Sequence, residues 1–258
     1  MARLDAVDTA AGIGEILPPF DHENAGIAEA AELSARFADR PARDVIAYAL
    51  FERFAGRIAL VSSFGAESAV LLHLVASVDR SVPVVFIDTL RLFPETLAYR
   101  DTLVDRLGLT DMRTITPAEA TIAAQDRYKA LWMTNADACC QIRKTEPLNR
   151  ALEGFDAWFT GRKRFQAATR AAIGYFERDG ARMKVNPLAN WSSADLKAYL
   201  AEHDLPRHPL VAEGYPSIGC APCTSKVKPG EDERAGRWRG LDKVECGIHL
   251  GETDGSGI

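Results

Sequence analysis

The chain has 258 residues, enough for one large domain or two small ones and for a substantial core without disulfide staples. Apolar residues make up 47% and charged residues 26%, which excludes a disordered, collagen-like or small disulfide-scaffold chain. Lysine and arginine number 31 against 36 aspartates and glutamates, a formal charge of −5, which argues against non-specific nucleic-acid binding.

No apolar run approaches the ~20 residues that span a bilayer. The N-terminal stretch has scattered acids and no continuous apolar segment, so it does not read as a secretory signal. The expectation is a cytoplasmic protein with reduced thiols, whose five cysteines are metal ligands or reactive groups rather than disulfides.

Residues 1–23 mix Gly, Pro and acids and read as a loosely held leading segment. A broad apolar stripe from Ile27 to Phe37 predicts a helix capped by Asn24, and Pro41 opens a second helix running to about Phe54. Ile58–Val61 is strand-sized and ends in Ser62-Ser63-Phe64-Gly65-Ala66-Glu67-Ser68, after which Ala69–Val78 reads as a helix. Val82–Ile87 is a second strand, Phe93–Leu107 a fourth helix and Met112–Thr116 a further strand, with Pro117 opening another helix. Beyond it the pattern predicts a helix over Ile142–Leu152, strands at Ala157–Thr160 and near Met183–Val185, and a helix over Ser192–His203. The stretch after His208-Pro209 reads as loop with short helices. Strands alternating with helices imply βαβ units, an α/β fold and a mostly parallel sheet flanked by helices. The division expected is residues 24–242 as a single domain and 243–258 as a C-terminal tail.

The serine loop follows a strand and opens a helix. Hydroxyls, a glycine and backbone N–H groups there make an anion site, or an ordinary βα loop with a capping serine. Asp88-Thr89-Leu90-Arg91-Leu92-Phe93-Pro94 follows the second strand, so both loops face one crevice at the carboxyl ends of parallel strands. A P-loop motif and a dinucleotide fingerprint are both absent, which weighs against those two classes.

Cys139 and Cys140 are adjacent, and Cys220-Ala-Pro-Cys223 follows much later. Two pairs of thiolates suit one Zn²⁺ or an iron–sulfur cluster. Consecutive side chains converge badly on one tetrahedral ion, whereas a cubane offers separate corners. Cys246, in Glu245-Cys246-Gly247-Ile248-His249-Leu250, is then the one thiol left over; beside a glycine near the C-terminus, it is expected to be accessible and, with cations nearby, nucleophilic. The ordinary alternative is a stray surface cysteine. Cations gather against the overall charge: nine lie between residues 141 and 182 against five acids, and Arg234, Arg237 and Arg239 follow the second cysteine pair. That concentration suits a small anion, although Arg150 and Arg178 read as parts of a solvated face.

At this point the chain resembles the assimilatory sulfonucleotide reductases, and among them the adenylyl-sulfate (APS) reductases that carry a [4Fe-4S] cluster. The resemblance runs from about Val61 to Leu250 and rests on SSFGAES, DTLRLFPET, CCQIRKTEPL, FTGRKRFQAATR, GYPSIGCAPCTSKVKPGEDERAGRW and ECGIHL. It implies an adenine-nucleotide α-hydrolase-like (PP-loop) fold and the cluster on Cys139, Cys140, Cys220 and Cys223. By the same resemblance Cys246 is the nucleophile, and Ser62, Ser63, Phe64, Gly65, Ser68, Arg91, Lys144, Gly161, Arg164, Arg170, Arg234, Arg237 and His249 bind substrate. The implied reaction converts adenosine 5′-phosphosulfate to sulfite and AMP through a Cys246 S-sulfonate that thioredoxin or glutaredoxin releases. Nucleic acid and membrane are not expected partners, and a homo-oligomer is left open. Leu90 departs from the family's usual glycine, Lys163 from its arginine, and Phe165 and Ala167 from polar residues. The alternatives are the same chemistry on the 3′-phosphorylated substrate (PAPS), an ATP-dependent PP-loop enzyme that adenylates or transfers sulfur, and a non-enzymatic zinc or iron–sulfur module.

Overall fold

The computed structural model describes residues 22–241, 243 and 245–249, so most of the leading segment lies outside the described residues. Two helices come first, α1 (His22–Arg36) and α2 (Ala42–Tyr48), the latter continuing into a π turn over Ala49–Arg53. A βα alternation follows: β1 (Ile58–Val61), α3 (Ser68–Ala76), β2 (Val84–Ile87), α4 (Pro94–Leu107), β3 (Met112–Ile115) and α5 (Glu119–Gln125). Next come α6 (Leu131–Thr134), α7 (Ala136–Cys140), a π segment over Gln141–Thr145 and α8 (Glu146–Ala151). The chain then forms β4 (Ala157–Phe159), β5 (Phe176–Asp179), β6 (Arg182–Val185), α9 (Ser193–Glu202) and α10 (Pro209–Ala212).

The central strands β1, β2 and β4 are apolar on both faces because the sheet is covered on both sides there. Ile58 and Leu60 of β1, Val84 and Phe86 of β2, and Ala157 and Phe159 of β4 enter the larger core. Their alternating neighbours Ala59, Val85 and Trp158 enter a smaller one with Leu148 and Leu152 of the α8 region. Helix ends follow local chemistry: Pro94 opens α4, Gly108 closes it at φ 62°, and Ser192 caps α9 through a reciprocal pair of bonds with Asp195.

The strand order is β3-β2-β1-β4-β6-β5, parallel except for β5 against β6. The chain lays β2 and β3 to one side of β1 and then returns to lay β4 on the other. Strand order therefore reverses between β1 and β4, and the carboxyl ends of those strands flank a crevice.

Two elements differ from the sequence expectation. The strand β5 was not anticipated, since only Phe176 of its four residues is fully buried. Its edge is closed instead by Ser34 of α1, whose Oγ donates to the Phe176 carbonyl at 3.0 Å and accepts from the Phe176 N–H at 2.9 Å. The helix expected over Ile142–Leu152 starts earlier, at Ala136, where the Asn135 side chain accepts from the Ala138 N–H. Arg178, read as solvated, packs its guanidinium on Gly26 with Nε buried. No helix among the described residues is long and apolar enough to cross a membrane.

His208 ties the segment before α10 to α4. Its Nδ1 accepts from the Leu210 N–H at 3.2 Å, so Nε2 carries the proton and donates to Thr96 Oγ1 at 3.0 Å. Burial pushes this imidazole down to about 4. The unfolded chain therefore binds the proton that the folded one refuses. The contribution is complete above the ordinary value near 6.5 and is lost as pH falls toward 4. Thermal unfolding followed at several pH values should show a steeper fall between pH ~6.5 and ~4 in the wild type than in His208→Gln; parallel curves would contradict this.

Candidate active site

The crevice between β1 and β4 opens into a cavity of about 460 Å³, within the range of small-molecule sites. Its floor is the serine loop. Phe64 takes φ 49°, its N–H bonds Ser62 Oγ at 3.2 Å, and its ring stands edge-on to Phe86 at 5.4 Å. Phe64 is thus an anchor in the core rather than a cavity wall, and it turns Ser62, Ser63, Gly65, Glu67 and Ser68 toward the cavity. The end of β4 contributes Thr160, Gly161, Arg162 and Lys163.

The rod from α7 to α8 places the next groups. Its π segment holds Arg143 and Lys144, and π turns recur where a helix must redirect side chains. Lys144 lines the cavity. Burial opposes its charge, yet the thiols of Cys220, Cys246 and Cys140 outweigh burial and hold it above the ordinary lysine value. Arg143 points instead to Asp126, with Nη2 at 2.7 Å from Oδ2 and Nη1 at 2.9 Å from the Thr89 carbonyl. Both partners of this ion pair are buried.

The later segment packs against the β2–α4 loop. Leu92 and Cys220 form an antiparallel bridge, the Ala221 N–H donates to the Arg91 carbonyl at 2.8 Å, and Thr89 Oγ1 lies 3.2 Å from Cys220 Sγ. Cys139 consequently stands within electrostatic reach of both Cys220 and Cys223. Cys139, Cys140 and Cys220 are buried and Cys223 partly so. Among the described residues there is no group of three or more His, Cys, Asp or Glu that could hold a metal ion. The four thiols nevertheless come from two distant segments to one region beside Arg143 and Lys144, a soft donor set with cations at hand to balance thiolate charge. That setting fits an anionic, thiolate-ligated cluster.

Arg234 and Arg237 line the opposite wall, and the Arg237 guanidinium lies over the Trp238 ring at 4.4 Å. Gly236 permits this turn: a Cβ there would fall 2.1 Å from the Ser225 carbonyl oxygen. Glu245, Cys246 and Ile248 complete the lining. Cys246 was expected to be accessible, and the structure corrects this: its residue is 8% exposed and its side chain lines the cavity. A Cys140 S–H donated to it holds its thiol well below the usual range against the opposing effect of burial, and Lys144, the Ile248 N–H and Arg237 act in the same direction. Cys140 is pushed up by the same shared proton and by burial. A thiolate at Cys140 has no proton to give, and Cys246 then rests on Lys144, the Ile248 N–H and Arg237.

Of the residues singled out from sequence, Ser62, Ser63, Gly65, Ser68, Lys144, Gly161, Arg170, Arg234, Arg237 and Cys246 meet in this cavity. Arg91 does not, because its guanidinium is bound to the Lys129 carbonyl. Arg164 faces away from it, with Nε on the Ile173 carbonyl at 2.8 Å. The side chain of His249 lies outside the described residues. Leu90 takes φ 58° and is exposed, which explains why glycine suits that position. Sequence reasoning passed over Glu67 and Glu245 as site groups. Glu67 accepts from Lys163 Nζ at 2.5 Å and from Gln166 Nε2 at 2.8 Å. An acid beside a nucleophile and another inside an anion loop were the available signals, but their partners are far away in sequence.

A doubly covered, mostly parallel sheet with a cation-rich cavity at its switch point and a buried thiol lining it defines an α/β protein whose cavity suits an anionic ligand. The model of the phosphoadenosine phosphosulfate reductase domain matches residues 57–226. An adenosine 5′-phosphosulfate reductase of Mesorhizobium japonicum is 52% identical over 236 residues, covering 90% of this chain and 93% of that protein. One from a Chelativorans species is 53% identical over 223 residues, 86% of this chain and 91% of that one. The crystal structure of a phosphoadenylyl-sulfate reductase from Candida auris, in its phosphate complex, superposes with a TM-score of 0.66 at 27% identity, covering 83% of this chain and all of that one. The chain belongs to the phosphoadenosine phosphosulfate reductase family.

The buried Asp126–Arg143 pair fixes the cysteine-bearing rod to the turn that ends α5, and Arg143 also reaches the Thr89 carbonyl of the β2–α4 loop. Replacing Asp126 by Asn strands a buried cation, and urea unfolding should show a loss of about 3–5 kcal/mol. Arg150→Ala, at an exposed position, should stay within about 0.5 kcal/mol. Equal losses would show that the pair does not anchor the rod.

Proposed function

We propose that the protein reduces adenosine 5′-phosphosulfate to sulfite and AMP. The observation that carries this reading is the Cys246 thiol, buried in the cavity with Lys144, Arg234 and Arg237 opposite the serine loop. In this reading the Ser62–Ser68 loop holds the phosphate by hydroxyls and backbone N–H groups at the start of α3. Lys144, Arg237 and Arg234 hold the sulfate and neutralise charge gathering on its oxygens, the main catalytic contribution. The Cys246 thiolate attacks the sulfate sulfur in line, the bond from sulfur to the bridging oxygen breaks, and AMP leaves with that electron pair. Cys246 then carries an S-sulfonate.

An external dithiol completes the cycle. One of its thiolates attacks Cys246 Sγ, and sulfite leaves with the electrons of the S–S bond. The second thiol resolves the mixed disulfide, so that two thiols become one disulfide and Cys246 returns as a thiol. A thioredoxin- or glutaredoxin-like protein is the partner of that chemistry. Cys139, Cys140, Cys220 and Cys223 would hold a [4Fe-4S] cluster, which leaves no resolving thiol in the chain. When bound, such a cluster would supply charge at these thiols, two of which already act on Lys144, and so tune the field that Lys144 offers.

Charge favours APS over its 3′-phosphorylated relative. Six cationic side chains line the cavity against four carboxylates: Lys144, Arg162, Lys163, Arg170, Arg234 and Arg237 against Glu67, Asp232, Glu233 and Glu245. Arg162 is paired with Glu177, Lys163 with Glu67 and Arg170 with Glu245. Arg234 stands 3.7 Å from the same Glu245 carboxylate, so the cavity's cationic charge is largely matched before a phosphosulfate enters, with little to spare for a further phosphate.

Sulfite release from APS and PAPS, measured side by side with a reduced dithiol protein, should give much the larger kcat/KM for APS. A larger value for PAPS would transfer the assignment to that substrate. Protein purified without oxygen should contain about four irons and four sulfides, and Cys220→Ser should lose them; an active, iron-free wild type would remove the cluster from this reading.

A further inference from the structure

We propose that Glu245 is the positioning residue that seats the Cys246 thiolate in the cavity, acting through a bidentate ion pair with Arg170. This rests on the reading of Cys246 as the nucleophile. The Glu245 side chain is 5% exposed and that of Arg170 8%. Arg170 Nε donates to Oε2 at 2.7 Å and Nη2 to Oε1 at 2.8 Å, and Arg234 Nη2 stands 3.7 Å from Oε1. Burial alone would raise the carboxyl, but Arg170, the Cys246 N–H and Arg234 hold it below the ordinary range. A parallel two-bond pair of this kind fixes orientation as well as distance.

Two further contacts tie that pair to the nucleophile. Glu245 Oε1 also accepts the N–H of Cys246 at 2.9 Å, which sets the peptide plane from which the sulfur projects. On the other side of Cys246, Ile248 packs on the smaller core. Gly247 lies against the π segment, where a Cβ would come 3.2 Å from Thr145 Oγ1. The thiol is therefore pinned from both sides, and Glu245 supplies the polar pin.

Arg170 in turn is braced from the serine loop. Its Nη1 donates to Gln166 Oε1 at 2.6 Å, and Gln166 Nε2 donates to Glu67 Oε2 at 2.8 Å. A continuous line of hydrogen bonds thus joins the loop proposed to hold the phosphate to the peptide that carries the attacking sulfur. A carboxylate beside a phosphosulfate would repel it, so Glu245 is unsuited to touching substrate. Its value lies in holding the sulfur in line with the bond that breaks, where small misplacements slow attack severely. The second half of the cycle has the opposite need. A buried Sγ is out of reach of an external thiol, so Cys246 must leave this seat before sulfite is released.

The test separates the two halves in the intact, iron-loaded protein. Wild type and Glu245→Gln are mixed with APS without reductant and quenched, and the rate of S-sulfonate formation on Cys246 is read by mass. At saturating APS, Glu245→Gln should form the adduct at least ~10-fold more slowly, with iron content and APS affinity within about threefold of wild type. Release of sulfite from preformed adduct by dithiothreitol should be as fast as in wild type or faster. Glu245→Asp, which keeps the charge but shortens the reach, should fall between the two in the first half. Should Glu245→Gln fail to fold, the Asp variant decides. A wild-type rate of adduct formation in the variant that folds overturns the role of Glu245, as does equal slowing of both halves or loss of iron, the marks of a merely structural residue. An adduct that the wild type forms on another residue, or not at all, overturns the reading of Cys246 itself.

Discussion

The structure is organised by a concentration of buried and half-buried cations at the point where its strand order reverses. In an acidic chain, six basic side chains converge on one cavity, and buried charge demands a partner. Four of them find carboxylates: Arg162 meets Glu177, Lys163 meets Glu67, and Arg170 and Arg234 share Glu245. Lys144 is held charged against burial by the thiols around it. Thiols and cations are therefore one electrostatic system: the bond from Cys140 lowers the Cys246 thiol most, and Lys144, the Ile248 N–H and Arg237 lower it further against burial.

Secondary structure delivers these groups with little freedom. The ends of β1 and β4 place the serine loop and Gly161 on adjacent strands, and the π segment turns Arg143 toward Asp126 while Lys144 enters the cavity. The same rod carries Cys139 and Cys140, so its anchorage to Thr89 and Asp126 fixes a cysteine pair as well as two cations. Cys220 is docked onto the β2–α4 loop by backbone bonds, which makes the meeting of the two cysteine segments a property of the fold.

Much of this was legible from local pattern. The strands β1 and β2 stand out because their residues are apolar without interruption, and α4 because proline and glycine mark its ends. The alternation of strand and helix was enough for a parallel α/β sheet. The strand β5 was hidden because Glu177, Arg178 and Asp179 give it no apolar signal; it exists through pairing with β6 and the bonds from Ser34. The early start of the cysteine-bearing rod was hidden because its cap, Asn135, precedes a short stretch of weak periodicity. At the site, residue types and motifs pointed to the cations, the serines and Cys246, while their pairings were not readable. The Cys246 N–H bonds Glu245, and Glu245 bonds Arg170, far away in sequence, a partner that nothing next to the cysteine announces. Phe64, Arg91 and Arg164 lie within matching motifs, yet the structure uses them as a core anchor and two backbone clamps.

The central claim is that the cation-held thiolate of Cys246 takes a sulfonate from a nucleotide bound in the switch-point cavity. The most direct measurement is peptide mass analysis of the iron-loaded protein after one turnover with APS in the absence of any reductant. The account predicts one added SO₃ group on the peptide containing Cys246, one AMP released for each adduct, and loss of that mass with release of sulfite when a reduced dithiol protein is added. Mass gained on a different residue, or AMP formed only when the dithiol is present from the start, would contradict it.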